Sequence, residues 1–191
     1  MKYILSLMVA TLLFSSCKKD INACKDYKEI TGREQGVDLA SIHLQEFRDT
    51  LSKYPQLEVY QSNSDQYSNS INCHVYYQGL LVFSDEYNLF KSSTTSSVTS
   101  SGEMLSTPLS ISLEPTTSYK DAIQKAKYSV NLDHSCISYQ LGLYNLNRWY
   151  NMPADYKLAW KIMDSQKSYI YVIVDAVTNS IIIADNGIRY Q

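Results

Sequence analysis

The stretch YVIVDAVTNSIII, residues 171–183, decides the fold that the sequence predicts. Residues 169–174 are aromatic or β-branched throughout, a pattern typical of a buried strand in the centre of a sheet. Asp175 and Asn179 suit the turn that follows, because an Asp side chain can accept backbone N–H bonds and Asn tolerates positive φ. Residues 180–184 then predict another strand, so we expect an antiparallel hairpin.

Two more strands and a helix are predicted upstream of this hairpin. Residues 137–146 and 156–163 have strand propensity, and Trp160 is expected to be a core residue of the second strand. Ser118 is predicted to cap the helix, with Asp121 in the capping-box position. The helix has one apolar stripe at helical spacing, made of Tyr119, Ala122, Ile123, Ala126 and Val130.

The first half of the chain opens with a second predicted helix. It covers residues 37–54, with Asp38 or Ser41 as its cap and Pro55 just after its end. Its apolar stripe consists of Ala40, Leu44, Phe47, Leu51 and Tyr54.

A run of strands follows this helix. Strands are predicted over 57–61, 71–78 and 80–89, with a polar turn over 63–69 and a tight turn at Gly79. The low-complexity residues 92–101 are equally compatible with an edge strand and a flexible loop, and 105–113 predict a connector with a short strand. We therefore expect an α+β protein of two modules, each a helix on an antiparallel sheet.

Composition limits the class of protein. Apolar residues make up 45% of the 191 and charged residues 19%, which allows a real core and excludes wholesale disorder. The formal net charge is −2, without the basic excess of a dedicated nucleic-acid binder, so no nucleic-acid partner is expected. The six glycines form no phosphate-binding loop, and no cofactor is expected.

The N-terminus carries an export signal. Residues 1–3 are a short basic segment, and residues 4–14 are an apolar segment too short for a stable membrane span. Ser15-Ser16-Cys17 resembles a bacterial lipobox, which implies a signal peptide over 1–16 and acylation of the Cys17 thiol, for example with palmitate. The alternative is an ordinary secretory signal with a chance cysteine.

Acylation would make residues 17–36 a lipidated tether, and several acyl chains are enough for stable anchoring. No Asp directly follows Cys17, so we expect the outer membrane of a bacterial envelope as the location.

Three further cysteines remain. An odd number allows at most one disulfide and leaves one free thiol. Cys73 alternates with apolar residues on a predicted strand, so we expect it to be buried and free. If a bridge forms, the expected pair is Cys24 and Cys136. The chain has no CxxC motif and its three histidines are scattered, so no metal site is expected.

The second half, residues 114–191, resembles a PepSY domain. The residues that carry the resemblance are SYKDAIQKA (118–126), YKLAWKI (156–162) and the opening stretch. They are similar to the C-terminal half of the propeptides of thermolysin-type metallopeptidases, with Asn179 at a position that is usually Gly in that family. HVYYQGLLVF (74–83) is similar to a hairpin of the FTP half of those propeptides, which makes 37–113 the FTP-like module. The resemblance implies a PepSY/cystatin-like α+β fold for both modules.

The family implies a prodomain that folds alone, aids the folding of its protease and inhibits it. This sequence has no HExxH motif and no protease after its last predicted strand. We therefore expect a non-catalytic envelope lipoprotein that binds or inhibits a secreted peptidase in trans. The alternative is an architectural surface lipoprotein of an envelope assembly or a polymer-capture system.

No catalytic residue is expected. The chain has no GxSxG motif and no Ser–His spacing that favours a nucleophile and its base. Asp85 and Glu86 are adjacent on a predicted strand and should point to opposite faces of the sheet.

Two segments are candidates for partner binding. Arg148, Trp149 and Tyr150 lie in a predicted loop between strands and form a plausible contact cluster, although Trp149 is equally expected to fold back onto the sheet. The C-terminal residues Ile188, Arg189 and Tyr190 are expected to enter a partner's cleft as an extended strand.

Overall fold

The computed structural model describes residues 27–31, 36–105, 108–130, 132, 136–150, 152–167 and 169–187. Two α-helices, α1 (Gln45–Lys53) and α2 (Tyr119–Ser129), and a short 3-10 turn (Leu39–Ser41) accompany a nine-stranded sheet. The strands are β1 (Lys28–Glu29), β2 (Leu57–Ser64), β3 (Ser68–Tyr77), β4 (Leu80–Ser92), β5 (Thr99–Ser101), β6 (Ile137–Asn145), β7 (Tyr156–Asp164), β8 (Tyr171–Asp175) and β9 (Ile181–Asp185).

The sheet is mixed and runs in the order β2-β3-β4-β6-β7-β8-β9. Its neighbours are antiparallel except β4 and β6, which pair in parallel at Leu81–Gly142 and Val82–Leu143. The short β1 pairs in parallel with the first part of β6, and β5 pairs with the last part of β4. The α+β class is therefore confirmed.

The division into two modules is not confirmed. Each helix is followed by an antiparallel meander, as predicted, but the two meanders are hydrogen-bonded into one sheet. Apolar residues of both halves also share one buried cluster, in which Phe47 of α1 and Ile123 of α2 are both members.

Helix α2 follows its prediction closely. The Ser118 hydroxyl accepts a hydrogen bond from the Asp121 backbone N–H at 3.2 Å and donates one to the Asp121 carboxylate at 2.7 Å. Ala122, Ile123 and Ala126 are buried, and the helix lies across β7, β8 and β9. The capping residue and the apolar stripe together fix where this helix begins and which side faces the sheet.

The predicted helix over 37–54 is wrong in its first half. Asp38 accepts the backbone N–H of Ala40, but the turn that it caps ends at Ser41. Ile42 has extended backbone and is buried in the core, so the chain leaves the helical path to place this side chain inside. The α-helix begins only at Gln45, after Leu44, which supplies no capping hydrogen bond.

The strands of the first half are longer than expected. The turn predicted over 63–69 contracts to a tight one, because the Asp65 carboxylate accepts the backbone N–H groups of Tyr67 and Ser68, each at 2.7 Å. Within the segment 92–101, residues 99–101 form β5, as the edge-strand alternative predicted, and a turn precedes them; the flexibility of the loop alternative stays a prediction. Residues 105 and 108–113, the described part of the connector, contain no strand, although a short one was expected. Strand β1 was not predicted.

The decisive hairpin forms as predicted, with one correction. Asp175 accepts the N–H groups of Val177 and Thr178, both at 2.8 Å, and Asn179 has φ +57°. Strand β8 begins only at Tyr171 and is paired on both sides. It is not the central strand that was predicted but the second from the edge, because β6 pairs with β4 of the first half and occupies the centre of the sheet. Trp160 is a core residue whose indole N–H donates to the Thr117 carbonyl at 2.9 Å.

Two cysteines of the described residues differ in state. Cys73 is buried and free, as predicted. Cys136 is disulfide-bonded, and Cys24, its expected partner, lies outside the described residues.

Candidate functional site

The loop between β6 and β7 exposes large apolar side chains at one end of the sheet. Its neck is closed by the backbone hydrogen bond from Leu146 N–H to the Asp155 carbonyl at 2.8 Å. The Asn145 side-chain oxygen accepts from Asn147 N–H at 3.0 Å and from Asp155 N–H at 3.1 Å. These bonds satisfy the backbone of both loop ends, so the tip projects from a fixed base.

The tip of this loop presents three large apolar side chains. Trp149 is 73% exposed, Tyr150 65% and Met152 62%. The Arg148 guanidinium lies 4.7 Å from the centroid of the Trp149 ring, within the range of a cation–π contact. We name Arg148, Trp149, Tyr150 and Met152 the aromatic knob. Trp, Tyr, Met and Arg are enriched in protein interfaces, so the knob is a candidate interaction surface.

A polar cleft of about 350 Å³ lies beside the knob. Strand β4 pairs with β6 only at Leu81 and Val82 and then separates from it. The register between β3 and β4 shifts between the pairs made by His74 and Tyr76, and the cleft forms beside this irregular part of β4. The buried Ser84 hydroxyl accepts the Asn145 backbone N–H at 2.9 Å and closes the floor at that point. The carboxylates of Asp85, Glu86 and Glu103 line the cleft together with Arg148 and Tyr150 of the knob.

Gly102 fixes one wall of the cleft. Its φ is +101°, and a Cβ at this position would lie 2.0 Å from the Glu86 carbonyl oxygen. Only glycine permits both this backbone conformation and this close approach to β4.

One carboxylate of the cleft is tied to the core. The Tyr156 hydroxyl donates to the Asp85 carboxylate at 2.5 Å. Burial of the Tyr156 ring, and then the hydrogen bond and charge of Asp85, raise the pKa of this phenol above its usual range. The phenol is therefore a permanent donor that holds Asp85 in place at ordinary pH.

The arrangement suits recognition of a positively charged group next to an apolar surface. Carboxylates at the cleft accept hydrogen bonds and attract cations, whereas the knob offers ring faces and a thioether. Among the described residues, no group of three or more His, Cys, Asp or Glu side chains is placed to hold a metal ion.

Cys73, the free thiol of the described residues, has the properties of a structural residue. It is buried on β3, and burial raises the pKa of its thiol to about 12. Since the thiolate is the nucleophilic form, this side chain is inert at ordinary pH.

The candidate residues of the sequence fall into two groups. Arg148, Trp149 and Tyr150 lie together in the knob, and Trp149 does not fold back onto the sheet. Ile188, Arg189, Tyr190 and the lipidation candidate Cys17 lie outside the described residues.

Sequence reasoning missed the cleft. Asp85 and Glu86 were expected on opposite faces, but both line it because β4 is irregular at this point. Met152 and Glu103 were not selected either. The local sequence carries no signal for these positions, since the cleft depends on a strand pairing between the two halves.

The two helices of the described residues offer no membrane span. Neither is long and apolar enough to cross a bilayer.

Comparisons with known proteins find a distant likeness to solved structures. No family model matches the chain, and no curated protein matches it. Among solved structures, the C-terminal domain of YpeB from Bacillus megaterium is similar, with 13% sequence identity and a TM-score of 0.45, over 82% of this chain and 68% of that one. This likeness is too distant to carry an assignment of fold family or function.

Proposed function

We propose that the protein is a non-catalytic, PepSY-like envelope lipoprotein that binds, and thereby inhibits, a secreted peptidase. The observation that carries the proposal is the aromatic knob. Three large apolar side chains and an Arg stand exposed on a loop whose base is fixed by hydrogen bonds. Exposing such side chains to water is unfavourable, and covering them by a partner recovers that free energy.

Two features support the PepSY-like part of the proposal. Helix α2 lies across an antiparallel meander, and the turn residues Asp175 and Asn179 serve the turn that the resemblance implied. The resemblance is to the propeptides of peptidases, which gives a peptidase the first place among candidate partners.

The state of the reactive side chains supports the non-catalytic part. The Cys73 thiol is buried and has a raised pKa. The His74 ring stacks on Tyr60 with 4.2 Å between ring centroids. The Ser84 hydroxyl is buried and accepts the Asn145 N–H. Each of these groups has a structural contact that suits a scaffold.

An inhibition assay tests the peptidase part of the proposal. The mature chain is titrated against a panel of secreted metallo- and cysteine peptidases, alongside the double variant Trp149→Ala/Tyr150→Ala. We expect inhibition of at least one peptidase, weakened more than about tenfold in the variant because interface aromatics carry much of the binding energy.

The matched control is Tyr67→Ala/Phe90→Ala, which removes two exposed aromatic side chains on the other half of the sheet. It should inhibit like the unaltered chain. No inhibition of any peptidase, or equal losses in both double variants, contradicts the proposal and leaves the architectural role as the better one.

The C-terminal tail needs a separate test, because its residues lie outside the described part. A pull-down from the source envelope compares the full chain with a chain ending at Gly187. If Ile188, Arg189 and Tyr190 enter the partner's cleft, the shorter chain recovers less peptidase. Equal recovery by both chains contradicts the role of the tail.

Lipid anchoring has its own readout. Mass spectrometry of the protein purified from its envelope should find the chain beginning at Cys17 with acyl chains attached. The variant Cys17→Ser should be released from the membrane fraction by a high-salt wash, whereas the acylated protein should stay in that fraction. An unmodified Cys17 contradicts the anchor without affecting the test of the knob.

A further inference from the structure

The outer side of α2 is a second exposed surface, distant in sequence from the knob. Lys120, Lys125 and Tyr128 are exposed there, and Tyr128 reaches 86%. Tyr27, the first described residue, packs beside the helix, and a shallow depression of about 580 Å³ lies between them. We name Tyr27, Lys120, Lys125, Lys127 and Tyr128 the basic face.

The basic face has unneutralised positive charge. Helix α2 carries three lysines and one acidic residue, Asp121, so its formal charge is +2 (3 − 1), and the Asp121 carboxylate accepts a hydrogen bond from the capping Ser118. Neither Lys120 nor Lys125 forms an ion pair with another described residue. The adjacent Lys28 and Glu29 of β1 cancel each other in charge. This local excess contrasts with the net charge of −2 on the whole chain.

Tyr27 joins this face to the N-terminal end of the chain. The Lys127 ammonium lies 5.5 Å from the centroid of the Tyr27 ring and 3.5 Å from its hydroxyl oxygen. Tyr27 lies only ten positions after Cys17 (27 − 17). Ten fully extended residues span at most about 36 Å. An acyl anchor on Cys17 would therefore keep Tyr27 within about 36 Å of the membrane surface, so the basic face can reach that surface.

We infer that the basic face docks on a bilayer that contains anionic headgroups. Lysine ammonium groups near such a surface are attracted to its negative charge, and tyrosine side chains settle at the level of the headgroups. The inference rests on the proposed acylation of Cys17 for its position, and adds an orientation: α2 faces the membrane.

Vesicle sedimentation tests the inference without the lipid anchor. The mature chain with Cys17→Ser is mixed with vesicles of phosphatidylglycerol and phosphatidylethanolamine, and separately with vesicles of phosphatidylcholine. We expect binding to the anionic vesicles that weakens as salt is added, because screening shortens the range of the attraction. Lys120→Gln/Lys125→Gln/Lys127→Gln should lower the affinity more than about tenfold.

The matched control removes the same charge elsewhere, as Lys53→Gln/Lys157→Gln/Lys167→Gln, and should bind like the parent. Equal binding to both kinds of vesicle, equal losses in both triple variants, or no binding overturns the inference. The assay uses a chain without acyl groups, so its failure is distinguishable from failure of the anchor, which mass spectrometry of Cys17 decides.

Discussion

At the scale of single residues, two glycines with positive φ allow the cost of a steric clash to be distinguished from the cost of the backbone conformation. Gly102 has φ +101° and Gly79 has φ +85°, but a Cβ at Gly102 would meet the Glu86 carbonyl oxygen, whereas a Cβ at Gly79 would meet no atom within 4 Å. Gly79→Ala should therefore lower the free energy of unfolding by about 1 kcal/mol, the cost of the backbone conformation alone. Gly102→Ala should cost about 2 to 4 kcal/mol, since overpacking is added. Urea denaturation measures both, and equal losses would contradict the close packing at the cleft.

Tyr156 should make stability sensitive to alkaline pH. Burial and the Asp85 carboxylate raise its pKa above the usual value near 10, so the unfolded chain releases this proton at a lower pH than the folded chain does. The contribution to stability is complete below pH 10 and is lost as pH rises above it, by up to about 1.4 kcal/mol per pH unit. Between about pH 9 and pH 11, the free energy of unfolding should fall less for Tyr156→Phe than for the parent. The variant Tyr67→Phe, at an exposed turn position, should retain the parent's fall.

At the scale of elements, sequence reasoning succeeds where the deciding contacts are local. The capping pair Ser118 and Asp121 and the turn residues Asp175 and Asn179 act within a few positions of their own segment. It fails over residues 37–44, where burial of Ile42 in a core assembled from distant strands outweighs the local helical periodicity. Periodicity reports which side chains are apolar, but not which tertiary contact each of them makes.

The cap of α2 gives a prediction at this scale. Ser118→Ala removes the acceptor for the Asp121 N–H and should lower the free energy of unfolding by about 1 kcal/mol. The control Ser110→Ala changes the same side chain at an exposed position in the preceding connector and should leave stability nearly unchanged. Equal effects of the two substitutions in thermal denaturation would show that the cap contributes nothing.

At the scale of the whole molecule, the parallel contact between β4 and β6 was beyond sequence reasoning. Leu81 and Gly142 are 61 positions apart (142 − 81), and their pairing joins two meanders that each look complete on their own. The same long-range pairing limits what the sequence could predict of the candidate site. Composition and loop position identified Arg148, Trp149 and Tyr150, but the carboxylates of Asp85 and Glu103 reach the same cleft only through the joined sheet.

One continuous sheet with a shared core should unfold as one cooperative unit. Native-state hydrogen exchange should therefore give the same highest free energy of opening for core amides of β3, such as Ile71, and of β7, such as Ile162. Buried amides of β2, β3 and β4 that exchange through a separate opening of lower free energy would indicate two independent modules.

The most direct test of the central claim places a photo-crosslinking amino acid at the knob in the native envelope. Benzoylphenylalanine replaces Trp149 in one strain and Tyr67 in another, since both positions are highly exposed but lie on different parts of the sheet. After irradiation, mass spectrometry identifies the adducts. We expect an adduct with a secreted peptidase from position 149 and none from position 67. A position-149 adduct that contains no peptidase, or the same adducts from both positions, would contradict the proposed function.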